Sequence, residues 1–449
     1  MAISVPFRDV VAYAIGGGWG SDNPADGAVP VSIIRGTDFA SLQLGSARGV
    51  PLRFEGNEKA EKRILRPGDV VLEISGGSPT SGQSTGRTLL IKEWILAGLG
   101  SRAMPASFCR LVRFDTAKVD SRYAYYALQD MYLSGRAAEY EHRSTGISNF
   151  QFEYFLDREV IRLVPLPEQR AIAHVLGTLD DKIELNRWMS ETLEAIARAL
   201  FKSWFVDFDP VRAKAVGHDP GLPAHLAGLF PDSFEDSELG QIPTGWRTGT
   251  LGELCQRPEY GFMASANNEP VGPRFLRITD INKLPWIDWS SVPYCEPSDA
   301  EQEQYRVLTG DILIARMADP GHGVMIEEDV EAVFASYLIR FRPRFSIYAR
   351  FLQYWMRSDE YWELVGARRT GTTRASLNAQ VLSAFSLVVP PFGAAAAFGA
   401  RVSALRSKVT ANVAESRSLA DIRDALLPRL MSGELGVSDA DRIVLGMSA

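Results

Sequence analysis

The feature that most constrains this chain is that it is written twice. "SIIRGTDFA" (Ser32–Ala40) is answered by "FLRITDINK" (Phe275–Lys283), which aligns Arg35-x-Thr37-Asp38 with Arg277-x-Thr279-Asp280. "RILRPGDVVLEI" (Arg63–Ile74) is answered by "YRVLTGDILIAR" (Tyr305–Arg316), with Gly68-Asp69 matching Gly310-Asp311. "ASFCRLVRF" (Ala106–Phe114) returns as "ASYLIRFRP" (Ala335–Pro343), and "RSTGISNFQ" (Arg143–Gln151) as "RRTGTTRASLN" (Arg368–Asn378). A period this long predicts two copies of one domain, not a solenoid.

Each copy is followed by a long helical pattern. Ile172, Leu179, Asn186, Leu193 and Leu200 recur every seven residues, flanked by Val175, Lys182, Met189 and Ile196. Phe398, Leu405, Asn412, Leu419 and Leu426 repeat the first series, each 226 residues on, with an asparagine at the same step. Five apolar heptads with one polar seam position are a coiled-coil signature. A helix of this kind, about 38 residues long, spans about 57 Å. If the copies are related by a pseudo-twofold, the helices pair antiparallel, Asn186 lies near Asn412, and the domains sit at opposite ends. The connector is long enough for a parallel pair too, so economy alone favours the antiparallel one.

The expected fold is therefore α+β: two similar mixed α/β domains separated by two long helices in an antiparallel coiled coil. The expected divisions are 1–165 (first globular domain), 166–207 (central helix), 208–243 (acidic Pro/Gly-rich connector), 244–391 (second globular domain), 392–435 (C-terminal helix) and 436–449 (tail).

The 449 residues carry a net charge of −7, which alone argues against nucleic acid. The excess is uneven: residues 1–167 carry 19 basic and 18 acidic groups, while residues 208–246 carry 2 and 6. The larger domains are near neutral and can present basic faces. No apolar run approaches a membrane span, and no signal peptide is read at the start, so a cytoplasmic location and no membrane partner are expected. Cys109, Cys255 and Cys295 are scattered, as are the five histidines, so neither a disulfide framework nor a metal site is expected.

"VVLEISGGSPTSGQS" (Val70–Ser84) has the spacing of a phosphate loop, but Gln83 replaces the lysine that would reach the terminal phosphates. Its counterpart "ARMADPGHGVM" (Ala315–Met325) lacks the spacing altogether. A loop that differs between copies of one scaffold suits recognition better than nucleotide chemistry. An ATPase would bind nucleotide through Gly77–Ser84 and lose it on Gly82→Ala.

Two separated readers suit DNA, whose turn is about 34 Å. Candidate contacts are Arg143, Ser144, Thr145, Gly146 and Asn149 in the first copy, with Ser78, Thr80 and Ser81. In the second they are Arg368, Arg369, Thr370, Gly371, Thr372, Thr373 and Arg374, with Arg316. Arg35 and Arg277 complete the set. Arginine reads guanine edges or clamps phosphate, asparagine suits adenine, and hydroxyls or glycine N–H groups hold phosphate oxygens. The glycine-aromatic loops Gly16–Gly20 and Tyr260–Asn268 could lie against backbone or sugar.

"PLPEQRAIAHVLGTLDDKIELNRWMSETLEAIARALFKSWFVDFDPV" (Pro165–Val211), "IPTGWRTGTLGEL" (Ile242–Leu254), "VVPP" (Val388–Pro391) and "LLPRLMSGEL" (Leu426–Leu435) carry a resemblance over almost the whole chain. The sequence resembles the specificity subunit of a Type I restriction–modification system. The resemblance implies two target-recognition domains and helices that set the gap between half-sites. It also implies two docked methyltransferase subunits that bind S-adenosylmethionine and methylate adenine, and a motor–nuclease subunit that can join them. The chain itself would bind no cofactor. The second junction, "PPFGAAAAFG", lacks the pair Glu168-Gln169. No N/D-P-P-Y/F pocket, clustered nuclease acids with lysine, H-E-x-x-H or G-x-S-x-G is found, so the chain reads as non-catalytic. The alternative class is a two-headed protein-interaction scaffold without enzymatic activity.

Overall fold

The computed structural model describes residues 2–43, 45–76, 84–100, 102–144, 147–368 and 376–446. Two compact units emerge: Met1–Trp188 with Ala414–Ala449, and Met189–Val413. Each thus holds one globular domain and a stretch of both long helices.

In the first unit an antiparallel sheet runs in the order Val11–Gly16, Cys109–Phe114, Val70–Glu73, Thr88–Leu90. A second sheet joins Ala28–Ile34 to Leu52–Gly56 antiparallel and to Arg102–Pro105 parallel. Ile3–Pro6 pairs with Val160–Leu163 and brings the domain's two ends together. The second unit repeats the plan. Its sheet runs Glu259–Tyr260, Leu338–Phe341, Ile312–Ala315, Gly323–Met325. Arg274–Leu276 pairs parallel with Ala332–Phe334, and Arg247–Thr250 closes against Ser386–Val389. Register follows the sequence alignment: Val70 faces Val112, and its counterpart Ile312 faces Phe341.

The Gly-Asp motif explains why this strand lands identically twice. Gly68 and Gly310 take φ values of 89° and 93°, which glycine adopts without Cβ strain. The aspartate that follows folds back to accept a backbone N–H: Arg66 to Asp69 at 2.7 Å, Leu308 to Asp311 at 2.8 Å. The same carboxylates, both buried, receive paired N–H bonds from Arg113 (2.7 and 2.6 Å) and Arg342 (2.6 and 2.7 Å) on the neighbouring strand. A buried carboxylate is tolerated because its lone pairs are filled.

Two helices dominate the rest: the central helix Leu166–Phe205 and the C-terminal helix Phe392–Ser432. At 40 residues the former is about 60 Å long. Within the first unit, Ile172, Val175, Leu176 and Leu179 share a core with Leu426, Leu427, Leu430 and Met431. Asp180 receives Arg423 at 2.8 Å, and Asn186 Nδ2 donates to Glu415 at 2.8 Å. Numbers rise on one helix as they fall on the other, so the pairing is antiparallel. The second unit shows the same sense: Asn412 donates to Ser190 at 3.3 Å, Arg406 to Glu194 at 3.0 Å, and Phe398 packs on Phe201.

The seam departs from strict heptads in the second unit. Leu193, Leu200 and Leu405 are half-buried, Ile196 is exposed, and the buried stripe is Glu194, Ala197, Phe201, Trp204 with Phe398, Val402, Arg406, Val409. The helices there also face the globular domain, so the buried face is shared and slides by one residue. In the first unit Leu419 is half-buried, while Asn186 is buried, as is Asn412 in the second.

The expected connector is structured. Asp209–Ala215, Ala224–Ala227 and the hairpin Phe234–Ser237/Gly240–Pro243 place Val211, Leu226, Phe230 and Ile242 in the second core. The uneven junction has a physical reason. Gln169 is buried, accepts from Asp120 N–H at 2.8 Å, and donates to Val164 O at 2.8 Å. Asp120 in turn caps helix Ser121–Leu133. The corresponding helix Ala349–Trp355 has no side-chain cap, and Ala395, in Gln169's place, packs as a core residue.

Glu194 and Glu327 are the acidic centres of a buried network with Arg406, Arg357, Arg350 and Tyr354. Burial opposes ionisation of both, but Arg357 and Arg406 around Glu194, and Arg406 and Arg350 around Glu327, hold both carboxyls below their ordinary 4.5. A depressed carboxylate contributes its full stabilisation above the unfolded value and loses it as pH falls through the folded one. Stability of the second unit should therefore drop below about pH 4.5. Arg406→Ala should cost about 3 kcal/mol in urea unfolding, because two buried acids each lose one guanidinium partner while Arg357 and Arg350 remain. It should also make the acid-side loss shallower, because without that guanidinium both folded-state carboxyls titrate closer to their unfolded value. A cost under about 1 kcal/mol would show the network to be solvated.

Candidate nucleic-acid interface

The strand that leaves each Gly-Asp turn delivers its chain to one edge of the unit. In the first unit Val70–Glu73 passes into Ser75–Gly76, which pairs with Ile147–Phe150, itself paired with Glu141–Ser144. This three-stranded sheet joins the flanks of the Gly/Ser loop to those of the Arg-Ser-Thr-Gly hairpin. Ser75 Oγ donates to Asn149 Oδ1 at 2.5 Å, which occupies one lone pair of the amide and fixes the side chain. Beneath it Glu73, buried, takes two N–H bonds from Arg87 at 2.8 and 2.6 Å. Thr85 donates from N and Oγ1 to Glu141, tying the far side of the loop to the hairpin.

The second unit brings together the same flanks. Met317 bridges Ser376, and Leu377 N–H donates to Arg316 O at 2.9 Å. The Arg316 guanidinium carbon lies 4.9 Å from the Tyr260 ring centroid, and Tyr260 OH accepts from Ala379 N–H at 2.9 Å. Arg316 Nε is buried and has no hydrogen-bond partner among the described residues. Arg368 ends helix Asp359–Arg368 and is exposed. The loop after Arg316 is held by its own contacts: Asn282 donates to Asp319 at 3.3 Å and His322 Nδ1 lies 2.9 Å from it.

Arg35 and Arg277 stand elsewhere in the scaffold and are braced alike. Each donates from Nε and Nη2 to the aspartate three residues on, at 2.9 and 2.7 Å to Asp38, and at 3.0 and 2.9 Å to Asp280. The hydrogen bond to Asp38 raises the pKa of Arg35. Ser78, Thr80, Ser81, Thr145, Gly146, Arg369, Thr370, Gly371, Thr372, Thr373 and Arg374 lie outside the described residues, as do the side chains of Arg143 and Ser144.

The glycine-aromatic loops are positioned by close backbone contact. A Cβ on Gly17 would come 2.1 Å from Ala106 O, and one on Gly261 would come 2.2 Å from Phe334 O. Beyond them Trp19 and Met263 are exposed, and so are Phe108 and Tyr337 on the turns these glycines approach. Periodicity gave no hint of the last two; only their equivalent places in Ala-Ser-Phe and Ala-Ser-Tyr mark them. Among the described residues no group of three or more His, Cys, Asp or Glu could hold a metal, and no helix is long and apolar enough to cross a membrane.

The proteins this chain is similar to are Type I restriction–modification specificity subunits. Residues 54–195 match the Type I restriction modification DNA specificity domain. The chain is 27% identical over 324 residues to the Type I restriction enzyme HindI specificity subunit of Haemophilus influenzae, covering 60% of this chain and 67% of that one. It is 27% identical over 344 residues to the MjaIX specificity subunit of Methanocaldococcus jannaschii, covering 72% and 70%. The crystal structure of the Type I S subunit from M. genitalium shares the fold, with a TM-score of 0.54 over 96% of both chains at 15% identity.

Gly17→Ala and Gly261→Ala should each cost about 2 kcal/mol or more, since backbone carbonyls cannot yield to the new methyl. Urea unfolding measures this; a wild-type midpoint would show that the strand ends have room.

Proposed function

We propose that this chain is a non-catalytic, sequence-reading DNA subunit whose two units bind the two halves of an asymmetric bipartite target. The observation that carries this is the repeated edge. In each unit the chain leaving the Gly-Asp strand meets the flank of the Arg-rich or Arg-containing segment, yet the two copies differ in sequence there. One scaffold with unlike loops suits two unlike half-sites. The candidate contacts on Arg143–Asn149, Ser78–Ser81, Arg316 and Arg368–Arg374 supply guanidinium, hydroxyl and glycine N–H donors suited to bases and phosphates. Arg35 and Arg277, each braced by an aspartate, would serve as phosphate contacts through their exposed edges.

In this reading the globular segments 1–165 and 244–391 bind DNA, while the helical segments 166–207 and 392–435 space the half-sites. The helices also dock two methyltransferase subunits, and a motor–nuclease subunit can join. S-adenosylmethionine would be bound by the methyltransferases. This chain's own work is to grip and position; adenine methylation or cleavage belongs to its partners.

The methylation map of genomic DNA from cells expressing the system tests the reading directly. A modified motif of two unlike half-sites with a fixed unread gap is expected; unmodified DNA, or a continuous motif, would overturn it. Replacing Arg316, Arg368, Arg369 or Arg374 by alanine should weaken binding of the assembled complex. A lost base contact should cost about 1–3 kcal/mol at one half-site, whereas a lost phosphate clamp should flatten the salt dependence. Inserting four residues before Asn186 should change the gap and leave the half-site letters intact. Altered letters would contradict the spacer role.

A further inference from the structure

Phe108 and Tyr337 occupy one position in the repeated scaffold, 229 residues apart. Each is third in a four-residue turn closed by the same bond, Cys109 N–H to Ala106 O at 2.8 Å and Leu338 N–H to Ala335 O at 2.9 Å. Phe108 is 64% exposed and Tyr337 is 54% exposed, although the residue that follows each is fully buried. Nothing in the turn demands an aromatic. Neither residue has positive φ, and serine or asparagine are the ordinary occupants of such turns. The neighbours have diverged, Cys109-Arg110 against Leu338-Ile339, while an aromatic stands in water in both copies.

The backbone of each aromatic is tied to the candidate interface. Phe108 O accepts from Ile74 N–H at 2.9 Å and Ser75 N–H at 3.3 Å, where the first unit's loop-bearing strand begins its exit. Tyr337 O accepts from Arg316 N–H at 2.9 Å at the matching point. Each ring therefore stands on a turn that holds the residues from which a loop-bearing strand leaves. On the other flank Gly17 and Gly261 bring the chain against the same turns.

We propose that Phe108 and Tyr337 are apolar specificity contacts, one to each half-site, pressing against base edges beside the position the adjoining loop reads. This rests on the DNA-reading role proposed above. DNA is favoured over a protein partner because each ring is anchored to the first residues of a proposed reading loop, and in the second unit the adjacent residue is the cation Arg316. A base edge offers a partner for a neutral ring, above all the thymine methyl. Such a contact displaces no counterions.

The test uses the chain assembled with its methyltransferase subunits and a labelled duplex bearing the mapped target, titrated over a range of salt. Phe108→Ala and Tyr337→Ala should each weaken binding about tenfold with an unchanged salt slope. Mismatches in the variant's own half-site should be penalised less than in wild type, and those in the other half-site equally. That preserved discrimination at the distant half-site certifies a folded chain. Tyr337→Phe should bind as wild type. Unchanged affinity in both alanine variants overturns the assignment. So does a flattened salt slope, or loss of subunit assembly in the absence of DNA, which would make the rings protein contacts. A wild-type complex with no site preference defeats the DNA-reading role itself; a selective wild type with indifferent variants defeats only the aromatic contacts.

Discussion

Two buried carboxylates, Asp69 and Asp311, hold the remainder of the architecture in place. Each closes a turn on its own backbone and clamps an arginine from the adjoining strand. Alone, a carboxylate in that setting would cost several kcal/mol of desolvation. With its acceptor sites filled it becomes a rivet that fixes both the direction and the register of the outgoing strand. The segments after that strand differ in sequence between the two units, so the rivet stands between a shared scaffold and unlike loops.

The long helices meet by a different balance. Apolar residues supply the bulk of their contact, while the polar positions set orientation. Asn186 with Glu415 and Asn412 with Ser190 satisfy buried amides that an alternative alignment would leave unpaired. Around them the charged pairs draw in the globular domains: Tyr126 OH donates to Asp180 at 2.6 Å, and Tyr354 OH to Glu194 at 2.8 Å. Helix pairing and domain placement are thereby coupled through single side chains.

Much of this was legible before any coordinates. The long-period repeat, the Gly-Asp turns and the matching asparagine in each long helix are features that a sequence displays openly. Other features were hidden for identifiable reasons. The segment 208–243 looks like an acidic spacer by composition, yet Val211, Leu226, Phe230 and Ile242 are enough to seat it in a core. The one-residue slide of the seam arises because a helix face serves two neighbours, which heptad counting cannot foresee. Arg35 and Arg277 stood out as a matched pair, but the brace each receives from the aspartate three residues on is a matter of side-chain geometry that the alignment does not display. The exposed rings at Phe108 and Tyr337 sit in turns, where no periodicity exists to announce them.

The charged pairs along the helices are inverted between the copies. Asp180 and Arg406 are equivalent by the 226-residue offset, yet one is an acid held by Arg423 and the other a base held by Glu194. In these two pairs the central helix supplies the acid and the C-terminal helix the base, whereas Lys182 with Glu415 runs the other way. A half-length fragment with only the central helix, self-associating in the same geometry, would set Asp180 against Glu194. One with only the C-terminal helix would set Arg406 against Arg423. Unlike-charge complementarity thus disfavours homodimers of either half and keeps one chain's two helices for each other.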